Sequence, residues 1–202
     1  MHFVTDFNQA VLHPNPHLEK EILDRLFRTQ CRPERCTRKA FARAGLPETL
    51  FLAVRDMVYE PEYRDRLQPA PGVIEVFRCL LEDGHDVSVV TSRTGNSCEL
   101  AEAWFRERSG LCVPFVGIGK DREGMKMSKG PALRGLGADF YLDNSAKKLS
   151  LLVRERGQFD RAFPKLFHLR PRESDENWSP PYTFPIFSWW QVFEMVTAIA
   201  AS

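Results

Sequence analysis

The stretch that decides the fold is PAPGVIEVFRCLLEDGHDVSVVTSR, residues 69–93, in which a helix pattern is followed at once by a strand pattern. Apolar residues recur at three- and four-residue spacing over residues 73–81, which predicts an amphipathic helix with one buried face. Asp83-Gly84 ends that helix, and the β-branched run over residues 87–90 is typical of a buried strand. Together the two patterns predict one helix-strand unit of an α/β fold.

The same alternation continues toward the carboxyl terminus. Further helices are predicted over residues 98–108, 130–136 and 189–200, and further strands over residues 114–118, 140–142 and 166–169. Alternating βαβα units imply a Rossmann-like parallel sheet with helices on both faces. The segment over residues 171–185, rich in proline, serine and acidic residues, is predicted to be a loop.

The amino-terminal part differs from this pattern. The apolar run His2-Phe3-Val4-Thr5 ends abruptly at Asp6 and is too short for a helix, so it predicts a buried strand. Helical spacing then runs from Leu18 to Val58 in short pieces that prolines and glycines divide. The sequence therefore predicts an α/β core, residues 1–12 and 69–202, and a helical insertion, residues 13–68.

The composition limits the class of protein. A chain of 202 residues fits one domain with a small insertion, and 28 basic against 27 acidic side chains argue against a dedicated nucleic-acid or membrane-surface protein. Five scattered cysteines without metal-ligand spacing are typical of reduced thiols. Met1 runs directly into the first strand without a leader, so we expect a cytoplasmic protein. The sequence leaves the oligomeric state open.

Polar residues follow three of the predicted strands. Asp6 ends the first, Thr91-Ser92-Arg93 the second and Asp143-Asn144 a later one, and Lys129 begins the helix that leads into that later strand. In an open parallel sheet, ligands bind beyond the carboxyl ends of the strands. A carboxylate nucleophile, a hydroxyl donor, a cation and a second carboxylate for a metal are the groups that phosphoryl transfer needs. The ordered set therefore predicts a phosphate site.

These residues stand in motifs that resemble those of the haloacid dehalogenase-like hydrolases. HFVTDFN at residues 2–8 resembles the nucleophile strand of that family, and VSVVTSR at residues 87–93 resembles its threonine or serine motif. Lys129 with FYLDN at residues 140–144 resembles its lysine and acidic motifs. The resemblance covers residues 1–149, is nearest to the nucleotidase-like branch, and implies that the helical insertion is a cap.

The resemblance implies a magnesium-dependent phosphohydrolase that forms an aspartyl-phosphate. Asp6 would attack phosphorus, while Mg²⁺ would bridge Asp6, the backbone carbonyl of Asn8, Asp143 and the phosphate of a small metabolite, a nucleotide being the best single guess. The implied metal-site residues are Asp6, Asn8, Asp143 and Asn144. The implied catalytic residues are Asp6, Asn8, Thr91 and Lys129. The implied phosphate-binding residues are Thr91, Ser92, Arg93 and Lys129.

The sequence also departs from the family pattern. Hydrolytic members carry an acid/base aspartate two residues after the nucleophile, where this chain has Asn8, and an amide cannot transfer a proton near neutral pH. Gln9 and Ala10 replace small residues, and Asn144 and Lys147 stand where many relatives have acids. Two hypotheses follow: a phosphohydrolase altered in turnover, or a catalytically impaired protein that binds a phosphorylated ligand or a protein partner.

Two assignments stay open at this point. Lys126 competes with Lys129 for the phosphate, and Lys129 is preferred because Gly130-Pro131 begins a helix directly behind it. The insertion carries a basic run whose members are Arg28, Arg32, Arg35, Arg38 and Lys39. Such a run is by default a solvated helix face, and the alternative is contact with an anionic substrate.

Overall fold

The computed structural model describes residues 1–13, 15–27, 33–93, 95–119, 128–159, 162–170 and 180–201. The chain forms two compact units, one made of residues 1–13 and 69–202 and the other of residues 14–68. The assignment of residues 13–68 as a cap stays a prediction.

The larger unit is built on a six-stranded sheet. The strands are β1 His2–Asp6, β2 Asp86–Thr91, β3 Phe115–Gly117, β4 Phe140–Asp143, β5 Lys165–Leu169 and β6 Thr183–Ile186. They lie in the order β3-β2-β1-β4-β5-β6, and every neighbouring pair is parallel. The predicted α/β, Rossmann-like fold class is therefore confirmed.

The helices follow the strands in alternation. They are α1 Pro16–Leu26, α2 Arg38–Arg43, α3 Glu48–Met57, α4 Pro61–Arg64, α5 Val73–Glu82, α6 Asn96–Ser109, α7 Gly130–Leu136, α8 Ala146–Arg154 and α9 Trp189–Ala200, with a 3₁₀ turn at Arg156–Gln158. The predicted helices and strands of the larger unit agree with these bounds to within two residues at each end. Within the described ranges, no helix is long and apolar enough to cross a membrane.

The central strands are buried on both faces. Phe3 and Val4 of β1 and Val90 of β2 have no exposed surface, and the same holds for Tyr141 and Leu142 of β4. Parallel strands covered by helices on both sides are continuous apolar runs for this reason. A polar residue within such strands therefore has to find its partners inside the protein.

The smaller unit is helical and has its own apolar centre. Asn15 caps α1, because its side chain accepts a hydrogen bond of 3.0 Å from the backbone N–H of Leu18. The ring of Phe41 meets those of Phe27 and Phe51 edge to face, with centroids 5.8 and 5.5 Å apart. Arg25 donates hydrogen bonds to both Glu62 and Tyr63 of α4, which ties the ends of this unit together.

One prediction about the carboxyl-terminal part is wrong. Residues 171–185 were expected to form a loop; residues 171–179 lie outside the described ranges, but Thr183–Ile186 form β6. This strand lies at the edge of the sheet, where Pro185 is tolerated because an edge strand needs hydrogen bonds on one side only. The proline residues of this segment led to the prediction of a loop where β6 lies.

The order of the strands decides where a site can form. Chain connections run outward from β1 to β2 and β3 on one side, and then cross to β4 on the other side. In open α/β sheets, such a reversal leaves a crevice beyond the carboxyl ends of the two strands that flank it. Those strands are β1 and β4, which end at Asp6 and Asp143.

Helix α9 packs against β1 and α5 through Trp189. Trp189 is 2% exposed, and its ring lies edge to face with Phe3 and Phe77, with centroids 6.1 and 5.3 Å away. The indole N–H donates a 3.0 Å hydrogen bond to the backbone carbonyl of Ala10. Trp189 therefore connects α9 to β1, to α5 and to the segment that follows Asp6.

We expect Trp189→Ala to lower the free energy of unfolding by about 3–5 kcal/mol, because it removes a large buried ring and leaves a cavity. Trp190→Ala is the matched control, since Trp190 is 48% exposed and should change stability by about 1 kcal/mol or less. Urea denaturation of both variants measures the difference. Equal losses in the two variants would contradict this account of the packing.

Candidate active site

Two carboxylates end the strands that flank the reversal. Asp6 is the last residue of β1 and Asp143 the last residue of β4, and their side chains are 1% and 0% exposed. Burial of a charged carboxylate is costly unless a cation and hydrogen bonds accompany it. The surroundings of the two residues supply both.

Lys129 is the first cation of the cluster. It lies at the start of α7, where Pro131 occupies the first turn, and its side chain is 5% exposed. Its Nζ donates to Asp6 Oδ1, to the backbone carbonyl of Val90 at 2.9 Å and to Asp143 Oδ2 at 3.4 Å. The structure thus brings Asp6, Lys129 and Asp143 together. Lys126, the competing lysine, lies outside the described residues.

Lys148 is a second cation, which the sequence did not lead us to expect. Its Nζ lies 2.9 Å from Asp6 Oδ2 and 3.5 Å from Asp143 Oδ2, so one ammonium contacts both carboxylates. Lys148 is in the first turn of α8, three residues after the capping Ser145, while Lys147 beside it is exposed. Its position in the turn that directly follows the Asp143 strand end was the available signal.

Asp143 has two neutral partners as well. The Tyr141 hydroxyl donates a 2.6 Å hydrogen bond to Oδ2, and the backbone N–H of Ser145 donates a 2.9 Å bond to Oδ1. The sequence did not predict a role for Tyr141 either, although residues two apart in a strand share a face and Tyr141 stands two residues before Asp143. Burial together with the negative charges of Asp143 and Asp6 raises the pKa of Tyr141 well above its ordinary value, which keeps the hydroxyl protonated as a donor.

The charges act on one another. Burial alone would raise the pKa of Asp6, but the positive charges and hydrogen bonds of Lys129 and Lys148 outweigh burial and lower it. For Lys148, burial alone would lower the pKa, yet Asp6 and Asp143 outweigh burial and raise it. Asp6 is therefore an ionised carboxylate at neutral pH, held between the side chains of Lys129 and Lys148.

Arg93 stands next to the charged cluster. Its guanidinium is buried, donates to Asn8 Oδ1 and to Ser97 Oγ at 3.3 Å each, and lies 5.4 Å from the centroid of the Phe7 ring. The hydroxyl of Thr91, which has no exposed surface, accepts a hydrogen bond of 3.3 Å from the backbone N–H of Arg93. The predicted residues Asn8, Thr91 and Arg93 are thus joined by direct contacts.

A glycine makes room for this segment. A Cβ atom on Gly117 of β3 would lie 2.4 Å from the backbone carbonyl oxygen of Arg93, which is closer than real contacts permit. The backbone of residue 93 can therefore approach β3 only because residue 117 has no side chain. Ser92, between Thr91 and Arg93, is half-buried.

Asn144 is engaged away from the carboxylates. Its side-chain amide donates a 2.5 Å hydrogen bond to Gln9 Oε1. Gln9 itself has a positive φ of 62°, an uncommon conformation for a residue with a side chain. The predicted metal-site residues Asn8 and Asn144 thus have side chains that pair with Arg93 and Gln9 respectively.

The residues of the cluster do not fit magnesium in this arrangement. Asp6, Asp143 and the carbonyl of Asn8 have the oxygen atoms that magnesium prefers. However, the Lys148 ammonium already bridges the two carboxylates, and with Lys129 it leaves the cluster without net formal charge. Among the residues that the structure describes, no group of three or more His, Cys, Asp or Glu side chains could hold a metal ion.

The basic run of the smaller unit is partly outside the described ranges, which lack Arg28 and Arg32. Arg38 forms a 3.0 Å ion pair with Glu48, and its guanidinium lies 5.8 Å from the centroid of the Phe51 ring. Arg35 and Lys39 are exposed. Exposed basic side chains of this kind are typical of a solvated surface, and Arg35 lies before α2 and not within a helix.

The lowered pKa of Asp6 makes stability depend on pH. The unfolded carboxyl takes up a proton near pH of about 3.9, above the folded pKa, so Asp6 contributes stability above that value and the contribution is lost as pH falls through the folded pKa. We expect the free energy of unfolding to decline less steeply below about pH 5 in Asp6→Asn than in the wild type. Urea titrations at several pH values measure both slopes.

The matched control is Asp83→Asn, which changes an exposed aspartate at the carboxyl end of α5. This variant should keep the acid slope of the wild type. If Asp6→Asn and the wild type lose stability in parallel on acidification, the lysines do not stabilise the ionised form of Asp6.

No protein-family profile matches the chain, and no curated protein matches it. Solved structures do match over almost the whole length of the chain. Their similarity is therefore one of fold, which sequence comparison does not detect.

Three matches describe this similarity. A protein assigned as a haloacid dehalogenase-like hydrolase from Burkholderia xenovorans is 14% identical, with a TM-score of 0.60 over 98% of this chain and 96% of that one. A protein assigned as a β-phosphoglucomutase from Thermotoga maritima is 12% identical, with a TM-score of 0.63 over 98% and 99%. The L-2-haloacid dehalogenase of Xanthobacter autotrophicus, with chloropropionic acid covalently bound, is 10% identical, with a TM-score of 0.61 over 98% of both chains.

The TM-scores and the coverage establish the fold, and identities of 10–14% show no more than that. The six parallel strands and their helices are shared with hydrolases that include dehalogenases and phosphatases. The fold of this chain is thus the haloacid dehalogenase-like fold.

Proposed function

We propose that this protein is a hydrolase that uses Asp6 as a nucleophile toward a small phosphorylated metabolite. The observation that carries the proposal is the state of Asp6, a buried carboxylate whose two oxygens each accept a hydrogen bond from a lysine. The lysines lower the pKa of Asp6 and so keep it ionised, as a nucleophile must be. The resemblance to the nucleotidase-like branch favours a nucleotide as the substrate.

The chemistry follows from the charges. A carboxylate approaches an anionic phosphate only where fixed positive charge offsets their repulsion, and Lys129 and Lys148 provide two such charges. An Asp6 oxygen forms a bond to phosphorus while the bond to the leaving oxygen breaks, and the leaving alcohol takes a proton from solvent. Water then hydrolyses the aspartyl-phosphate, releases inorganic phosphate and restores the carboxylate.

The remaining residues of the site would bind the phosphate. Lys129 and the hydroxyl of Thr91 are the donors that the family resemblance implies, and Ser92 and Arg93 extend the set. Arg93 presents a planar guanidinium that can bind two phosphate oxygens at once. Two of its acceptors, Asn8 Oδ1 and Ser97 Oγ, are neutral oxygens at 3.3 Å.

Magnesium, which the resemblance implies as the cofactor, has no step in this reaction. The dependence of the reaction on magnesium is a prediction from the resemblance. The contacts of Lys148 with Asp6 and Asp143 disfavour it, because the ammonium lies between the two carboxylates. Activity is therefore to be measured both with added magnesium and with a chelator.

A second candidate function is binding without turnover. It is favoured by Asn8, whose amide stands where hydrolytic members have a proton-transferring aspartate and whose oxygen accepts from Arg93. A protein of this kind would keep the charged cluster for a phosphorylated ligand or partner. It would bind the ligand and release it unchanged.

The test is a phosphatase assay over nucleoside monophosphates, sugar phosphates and p-nitrophenyl phosphate. We expect release of phosphate by the wild type and a loss of about 10³-fold or more in Asp6→Asn, because the amide is not a nucleophile. Asp83→Asn, the exposed control, should retain wild-type turnover. Binding of phosphorylated ligands without turnover of any of them would instead support the second candidate.

The substitution at position 8 gives an independent prediction. Asn8→Asp should raise turnover by about tenfold or more, because a positioned acid/base carboxyl contributes on the order of 10²–10⁴-fold. Asn15→Asp is the matched control, since it makes the same chemical change at the residue that caps α1, where an aspartate can also act as the cap, and it should keep wild-type turnover. An unchanged or lower rate in Asn8→Asp would mean that another group already transfers the proton.

A further inference from the structure

Lys148 occupies a distinctive place in the charged cluster. Its side chain is 36% exposed, whereas those of Lys129, Asp6 and Asp143 are 5%, 1% and 0% exposed. It therefore lies on the solvent side of the two carboxylates, where a ligand would enter. Its Nζ contacts one oxygen of each carboxylate, at 2.9 and 3.5 Å. This is the bridging relation that the sequence resemblance assigns to a metal ion.

Local electrostatics do not account for this position. A basic residue in the first turn of a helix is disfavoured, because the amino-terminal end of the helix carries partial positive charge. Burial also disfavours the charged amine. Asp6 and Asp143 offset both effects, because their oxygens lie 2.9 and 3.5 Å from the Lys148 Nζ. The two carboxylates therefore hold the ammonium in place.

The cluster has no excess negative charge that could bind a divalent ion. Two carboxylates and two ammonium groups have no net formal charge, and both Asp143 oxygens already accept hydrogen bonds, from Tyr141 and Ser145. A divalent ion would either add two positive charges to a neutral buried cluster or displace the Lys148 ammonium. Both are costly in a site shielded from water.

We propose that the Lys148 ammonium takes the place of the divalent cation, so that the site works with a cation built into the chain. This inference rests on the proposed function, because it concerns how Asp6 reacts with an anionic substrate. Lys148 forms and breaks no covalent bond; its charge offsets the repulsion between Asp6 and the incoming phosphate. Turnover is accordingly independent of magnesium.

The decisive measurement is manganese binding, followed by the loss of the EPR signal of free Mn²⁺. The wild type should bind Mn²⁺ weakly, and Lys148→Met should bind it about tenfold or more tightly, because the substitution frees two carboxylates from a positive charge a few ångströms away. Lys147→Met, which removes the same charge from the exposed neighbour, should bind as the wild type does. Circular dichroism checks that each variant is folded.

Activity provides a second readout. Turnover by the wild type should be the same in EDTA and in millimolar magnesium. Lys148→Met should lose turnover in EDTA and regain part of it with magnesium, while Lys148→Arg, which keeps a charge, should remain insensitive to EDTA. Lys147→Met should resemble the wild type under both conditions.

The outcomes separate the two proposals. Tight Mn²⁺ binding by the wild type, no tighter in Lys148→Met, or a wild type inactivated by EDTA, would overturn the built-in cation. Absence of turnover in every form would refute the hydrolase alone, since the Mn²⁺ measurement needs no substrate. If Lys148→Met does not fold, the Mn²⁺ binding and EDTA response of the wild type still decide.

Discussion

The structure of the candidate site depends on the neutralisation of two buried carboxylates. Asp6 and Asp143 are almost completely removed from water, and neither could stay charged there by itself. Lys129 binds them from inside the protein and Lys148 from the solvent side. Because each ammonium touches both carboxylates, the loss of one charge would leave the other three unbalanced. The four residues are therefore one electrostatic unit.

The fold explains why this unit forms where it does. Strand order reverses between β1 and β4, so the ends of these two strands lie side by side at the crevice. Around the ions, neutral groups complete the hydrogen bonds: Tyr141 donates to Asp143, and two amides pair with their neighbours, Asn8 with Arg93 and Asn144 with Gln9. Asn8, Gln9 and Asn144, which depart from the family pattern, thus take part in hydrogen bonds of the site.

Much of the fold could be predicted from local pattern. Strand β2 and helix α5 can be recognised from the sequence alone. A strand buried on both faces gives a continuous apolar run, whereas an amphipathic helix gives apolar residues at three- and four-residue spacing. Strand β6 could not be found this way. Its Pro185 is compatible with a strand only at the edge of a sheet, and whether a strand is an edge is a property of the assembled sheet.

The sequence by itself determined the strand-end residues, because the boundary of a buried strand marks where polar side chains can begin. It identified Asp6, Asp143 and Lys129, which the structure brings together. Only the tertiary structure decided the partners of these residues. The sequence predicted a role for neither Tyr141 nor Lys148, and α8, the helix that positions Lys148, was not among the predicted elements. The contact of Lys148 with Asp6 crosses from α8 to β1, and it forms because the charges must be compensated once they are buried together. The hydroxyl of Tyr141 donates to Asp143 within β4, where burial requires it to find a partner.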